Sequence, residues 1–176
     1  MVRYKNQQGV SLIEVLVVAA ITMFLIAIGG PSVVESLNRA QVKSVSQETY
    51  FLFKQARSQA LASSVDISLD FETGSNWCIG MSDSGLCDCT TLNSCSVNGL
   101  ESVISQDDFD VTSMDSAMFG NDTEVVFDGQ RGLALNDAGA VEFSDEQNNQ
   151  IRVSLNILGR TDICVVSGQI GNYPSC

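Results

Sequence analysis

One carboxylate stands inside a long apolar run: Glu14 is the sole charge between Val10 and Val34. A carboxylate in hydrocarbon costs at least a few kcal/mol, so it needs a cationic partner, a proton, or a route to the headgroups. The six cysteines, Cys78, Cys87, Cys89, Cys95, Cys164 and Cys176, all follow that run. An even number on one side of a membrane fits disulfides made in an oxidising compartment. The competing reading of Cys78, Cys87, Cys89 and Cys95 is a zinc site, but their spacings of 9, 2 and 6 lack the CxxC pairs of zinc knuckles. Two acidic runs, Asp107-Asp108-Phe109-Asp110 and Asp145-Glu146, raise calcium. Neither has the spacing of an EF-hand loop, and solvated loop charge is the simpler account. The chain has no His, so Ser-His-Asp and Cys-His catalysis are excluded within it. No metal and no cofactor is expected.

Charge divides the chain. Before Ser58, Arg3, Lys5, Arg39, Lys43, Lys54 and Arg57 stand against Glu14, Glu35 and Glu48, a balance of +3. From Ser58 onward only Arg131, Arg152 and Arg160 oppose 18 acids, a balance of −15, which with the first part makes the total of −12. A face this acidic repels phosphate backbones, so nucleic acid is disfavoured as a partner. Most of these acids read as a solvated surface.

The elements that must position these residues begin with the apolar run. Residues 10–34 would make a helix of roughly 37 Å at about 1.5 Å per residue, enough for a bilayer core of about 30 Å. Arg3 and Lys5 precede it with no acid, which places the N-terminus in the cytoplasm and the rest outside, in a single pass. The run is too long for an ordinary secretory signal, and Glu14 would spoil its core. An uncleaved anchor is the plain alternative. Pro31 after Gly29-Gly30 removes a backbone donor and predicts a kink.

Helical spacing continues beyond Pro31 through Val34, Leu37, Val42, Val45, Leu52, Ala56 and Ala60, to an end near Ala62-Ser63-Ser64. A helix from Val10 to Ala62 would be about 80 Å long, and its second half needs a sheet over its apolar stripe. The period then switches to two, with Val65, Ile67, Leu69 and Phe71 alternating with Asp66, Ser68, Asp70 and Glu72. Further strands are predicted at Trp77–Met81, Glu124–Asp128, Ala140–Phe143, Ile151–Ile157 and Ile163–Val166. The fold class is α+β: one long helix, its first half transmembrane, packed on a C-terminal antiparallel β-domain.

Gly9-Val10-Ser11-Leu12-Ile13-Glu14-Val15-Leu16 after a short basic leader resembles the precursor motif of the type IV pilin superfamily. Val10 stands where Phe is usual, and Pro31 sits where many pilin helices carry Pro. The resemblance implies that a prepilin peptidase cuts between Gly9 and Val10 and methylates the new Val10 amine. It also implies that Glu14 meets the free amine of a neighbouring subunit. Three further segments resemble the GspH/FimT group: Leu52–Ala60 leading into a strand, Val126-Phe127-Asp128-Gly129-Gln130-Arg131-Gly132, and Ile157-Leu158-Gly159-Arg160 leading into Ile163-Cys164. A cysteine pair around the C-terminal loop recurs in minor pilins of this group, which implies a Cys164–Cys176 disulfide. The other four allow three pairings. Some members linked to DNA uptake carry Gly-Arg-x-Arg in this hairpin. Here Gly159-Arg160-Thr161-Asp162 has an acid at the last position, which disfavours DNA, and Arg160 is expected to pair with a local acid or pack in the hairpin.

The expected organisation is a cleaved leader at 1–9, a transmembrane assembly helix at 10–34, its periplasmic amphipathic half at 35–63, and a disulfide-bonded β-rich domain at 64–176. The expected function is non-enzymatic: a minor pilin, anchored in the inner membrane, that helps prime or assemble a type IV pilus. Its partners would be prepilin peptidase and other minor and major pilins. The alternative is minor pseudopilin H of type II secretion, with pseudopilins as partners. The cysteines favour the pilus, because secretion members of the group usually lack them. A membrane-tethered enzyme has no recognisable nucleophile motif or phosphate loop behind it.

Overall fold

In this computed structural model, residues 10–135 and 138–176 are described, with the backbone alone at positions 30 and 31. The expected leader, including Arg3, Lys5 and Gly9, lies outside the described residues. Two compact units divide the chain after Leu37.

Helix α1 covers Leu12–Ser63. The Ser11 carbonyl starts it by accepting the amides of Glu14 at 3.0 Å and Val15 at 3.2 Å. Helical backbone continues through Gly29, Gly30 and Pro31, so the proline does not end the element. At the far end Ser64 turns left-handed with φ 55, a helix-terminating conformation. Over Leu12–Ile28 the apolar side chains are almost all exposed, Leu12 at 77% and Ile26 at 71% among them. By length and composition this stretch can cross a membrane.

In the second unit the helix buries Val42, Val45, Leu52, Phe53, Ala56 and Ala60, spacings that return to one face of a 3.6-residue helix. Ser46 and Thr49 are buried on the same side without penalty, because their hydroxyls donate to the carbonyls of Val42 and Val45.

Among the described residues ten strands follow: β1 (Ile67–Glu72), β2 (Cys78–Ser82), β3 (Ser96–Val97), β4 (Leu100–Glu101), β5 (Val103–Ser105), β6 (Thr112–Phe119), β7 (Glu124–Phe127), β8 (Gly139–Asp145), β9 (Gln150–Leu155) and β10 (Thr161–Ser167). They form one sheet in the order β5-β2-β1-β7, a second in the order β10-β9-β8-β6, and the small β3–β4 ribbon. The ladders between strands are antiparallel. Phe53 of α1 meets both large sheets, with ring centroids 6.0 Å from Phe71 on β1, 6.5 Å from Phe127 on β7 and 5.9 Å from Phe119 on β6. Trp77 closes the core farther along, 5.3 Å from the Phe143 ring, with its indole N–H donating to the Thr112 carbonyl at 3.1 Å.

The architecture is the α+β pilin-like fold expected from the sequence. Differences are local. Val65 stays outside β1 and 44% exposed, and β9 stops at Leu155, leaving Ile157 in the following turn. The sequence reading also missed β3 to β6. In β6 the register shifts between Met114 and Ser116, so the buried positions Thr112, Met114, Ala117 and Phe119 do not keep a single period of two.

Removing the ring that joins the helix to both sheets leaves a cavity between three layers. Phe53→Ala is expected to cost about 3–5 kcal/mol. The measurement is the denaturant midpoint of the detergent-solubilised full chain; an unchanged midpoint would remove Phe53 from the centre of the core.

Candidate assembly site and its scaffold

Glu14 lies in the first turn of α1, where the helix dipole favours an acid. Its side chain is exposed, flanked by Ile13 at 69% and Val15 at 57% exposure. Among the described residues no hydrogen bond or ion pair reaches its carboxylate. Val10 is also exposed, at 70%, one helical turn before it. The N-terminal site is thus an acid without a partner among the described residues, on an apolar helix whose spanning window those residues leave uncovered.

The β-domain is held by three disulfides: Cys78–Cys89, Cys87–Cys95 and Cys164–Cys176, and no free cysteine is present. The first two interleave: Cys78–Cys89 fastens the segment 83–101 to β2, and Cys87–Cys95 closes a loop within that segment. Gly80 on β2 makes this possible, because a Cβ there would overlap the Cys95 Sγ and press on the Cys89 Cβ at 3.0 Å. The third ties the C-terminus to β10, where the Val165 amide donates to the Pro174 carbonyl and the Cys176 amide to the Val165 carbonyl.

In the second acidic run, Asp145 is bonded locally. The Asp145 carboxylate accepts the amides of Gln147 and Asn149 at 2.9 Å each and the Asn149 side chain at 2.7 Å. Among the described residues no group of three acids or cysteines has the placement to hold a metal.

Carboxylates also crowd β1 and β7. Asp70 and Glu124 face each other across the ladder. Burial pushes the Asp70 carboxyl above its ordinary 3.8, the charges of Asp88 and Glu72 add to this, and the Cys89 amide opposes it. Burial and the Asp70 charge push Glu124 the same way. In contrast, the Thr90 hydroxyl and amide and the Thr91 hydroxyl hold the Asp88 carboxyl below its ordinary value.

Sequence reasoning missed one feature, a groove of about 580 Å3 between α1 and the β9–β10 turn. Lys54, Arg57, Arg160 and Asp162 line it. Arg160 was expected to pair with a local acid or pack in the hairpin; among the described residues it has no ion pair, and it is exposed along the groove. Arg131 and Arg152, by contrast, are paired with Asp128 and Glu142. Gly159, with φ +71, brings the turn onto the helix: a Cβ there would meet the Gly132 carbonyl at 2.7 Å and the Arg57 side chain at 3.0 Å. Arg57 donates to the Gly159 carbonyl at 3.3 Å, while its Nε and the Thr161 Oγ1 are buried without a partner. The one sequence signal was Gly159 directly before Arg160; the 102-residue separation from Arg57 hid the rest.

A long helix whose second half carries antiparallel sheets defines a pilin-like subunit. The family model described as Type II transport protein GspH matches residues 46–159, and that described as the prokaryotic N-terminal methylation motif matches residues 4–30. The chain belongs to the GspH family of the type IV pilin superfamily. The fold is similar to crystal structures of the Pseudomonas aeruginosa type IV minor pilin FimU. In one crystal form the identity is 14%, covering 71% of this chain and 89% of that one, at a TM-score of 0.51. In a second form the identity is again 14%, covering 69% and 90%, at 0.46. At this identity the likeness is one of fold. Among curated protein sequences none matches the chain.

Two stability predictions follow from the scaffold. Replacing both Cys164 and Cys176 by Ser removes a loop closure worth about 3 kcal/mol in the chain-entropy model, read as a lower denaturant midpoint. The raised Asp70 and Glu124 carboxyls mean that the folded domain binds protons more readily than the unfolded chain. Stability therefore rises as pH falls from neutrality through their raised values. It declines below the ordinary 3.8 of Asp88, whose lowered carboxyl must then be protonated. Asp70→Asn should raise the melting temperature at neutral pH and flatten the gain on acidification; a variant melting lower at neutral pH contradicts this.

Proposed function

We propose that this chain is a non-enzymatic minor pilin, processed at its N-terminus and assembled through its helix into a type IV pilus. The carrying observation is the coincidence of the methylation motif with an apolar helix that its own chain leaves exposed. Prepilin peptidase cuts after Gly9 and methylates Val10. The segment 10–34 sits once across the inner membrane with the N-terminus cytoplasmic, and the domain stands in the periplasm. A lone subunit keeps Glu14 at the cost of an unpaired carboxylate near hydrocarbon. When a neighbour's Val10 amine arrives, a charge-assisted bond offsets that cost and sets the register between helices. Pro31, lacking a backbone donor, supplies the bend that lets helices repack.

The second reading is a minor pseudopilin of type II secretion, favoured by the name of the matching family model. The three disulfides support the pilus instead, because secretion members of the group usually lack cysteines. Deleting the gene decides: loss of piliation supports the first reading, and loss of exoprotein secretion with intact pili supports the second. Gly9→Val is expected to leave the leader attached, read by the intact mass of the membrane-bound chain; normal cleavage would refute the processing site. Glu14→Val is expected to insert into the membrane yet fail to enter filaments, and wild-type incorporation would refute the proposed contact.

A further inference from the structure

The sheet ordered β10-β9-β8-β6 ends on β10, and only part of that edge is covered. The chain's own tail covers Val165. The Val165 amide donates to the Pro174 carbonyl at 2.8 Å, its carbonyl accepts the Cys176 amide at 3.0 Å, and Ser175 bridges to it in parallel. The Cys164–Cys176 disulfide clamps this short added strand, and the Gln47 side chain donates to the Tyr173 hydroxyl at 2.8 Å, seating the tail against α1.

Beyond the tail the edge is bare. The backbone groups of Val165 point away from β9, and in an antiparallel ladder every second residue points the same way. Thr161 and Ile163, in register with Leu155 and Val153, therefore turn their N–H and C=O groups outward too. The Asn156 amide, bonded to the Arg160 carbonyl at 3.0 Å, fixes the same alternation from the other end. Among the described residues no hydrogen bond reaches the outward groups of Thr161 and Ile163.

The helix faces this bare edge. Gln47, Tyr50, Phe51 and Tyr173 join Thr161, Asp162 and Ile163 around a groove of about 320 Å3. Tyr50, Ile163 and Tyr173 form part of the rim of the core, and Phe51 is 62% exposed. Among the described residues the only charge lining this groove is Asp162. The bare stretch of β10 is about 10 Å long at ~3.3 Å per residue. Walled by a helix and the tail, it does not admit a flat sheet, but it admits one strand. Alternating unpaired amides and carbonyls are matched by another extended backbone, and the aromatic wall by an apolar side chain on it.

We propose that the Thr161–Ile163 edge of β10 binds an extended segment of a partner protein by strand addition. An apolar side chain of that segment sits among Tyr50, Phe51 and Tyr173. An adjacent Lys or Arg, on the other face of the added strand, lies beside Asp162, as opposite charges favour across a ladder. The balance of −15 from Ser58 onward disfavours an acidic segment. The tail is the precedent within the molecule, since at Val165 the same edge already holds an added strand. The contact does not rest on the choice between pilus and secretion.

Linear octapeptides displayed on phage test this by selection on the full chain in lipid nanodiscs, after empty nanodiscs have removed membrane binders. The strongest peptide is resynthesised. It is expected to carry apolar residues at alternate positions with a Lys or Arg next to one of them, and to protect the Ile163 amide from hydrogen exchange. N-methylation of the alternate residues that face β10 should weaken binding about tenfold, and N-methylation of the intervening residues should leave it unchanged. Phe51→Ala should also weaken binding about tenfold without changing the melting temperature, because that ring is exposed. Ile163→Pro removes the outward amide and spares the ladder to β9, so it should abolish binding; if that variant does not fold, Phe51→Ala and the N-methylated peptides still decide. No selected peptide, indifference to N-methylation, or protection confined to other amides overturns the proposal. Piliation and secretion are read on the deletion strain, so either functional reading can fail while the edge contact stands.

Discussion

The domain depends on Phe53. Its ring is the point where the helix touches both sheets, through Phe71, Phe127 and Phe119. The helical stripe around it, from Val42 to Ala60, gives the two sheets a common surface to close against. Helix formation alone is marginal in water, and burial of such a stripe is what makes a segment of this kind persist. The same helix has no such partner over its first half, where large apolar side chains remain exposed. One continuous element therefore has two different surroundings: a core that its own chain supplies, and an apolar first half that its own chain leaves bare.

That division explains why so much was legible in the sequence. The apolar run with Glu14, the helical stripe, and the alternation in Ile67–Phe71 each express a single periodic constraint. Where two constraints compete, the pattern fades. The bulge in β6 interrupts its alternation, and β3 to β5 are only two or three residues long. The cysteine partners of the 78–95 cluster depend on which sulfur reaches over Gly80, a matter of three-dimensional proximity that spacing does not encode. The basic groove was invisible for the same reason, since Arg57 and Arg160 meet only after the turn at Gly159 folds onto the helix.

Electrostatics and scaffold are coupled at one place. The interleaved disulfides hold Cys89 so that its amide reaches the Asp70 carboxylate, at 3.3 Å, on a strand already facing Glu124. Like charges opposite each other in a ladder are unfavourable. The cross-linked segment keeps this arrangement in place, since its closed loops leave little conformational freedom to gain by opening.

The interleaving has a further consequence for durability outside the cell's reducing interior. Cys78–Cys89 and Cys87–Cys95 overlap, so every peptide bond from Cys78 to Cys95 lies within at least one closed ring. That stretch carries exposed residues such as Leu86 and Leu92, the kind of surface a protease attacks first. A single cut anywhere in it leaves both fragments covalently joined. Damage there would be silent in the folded domain and visible only after the sulfurs are reduced.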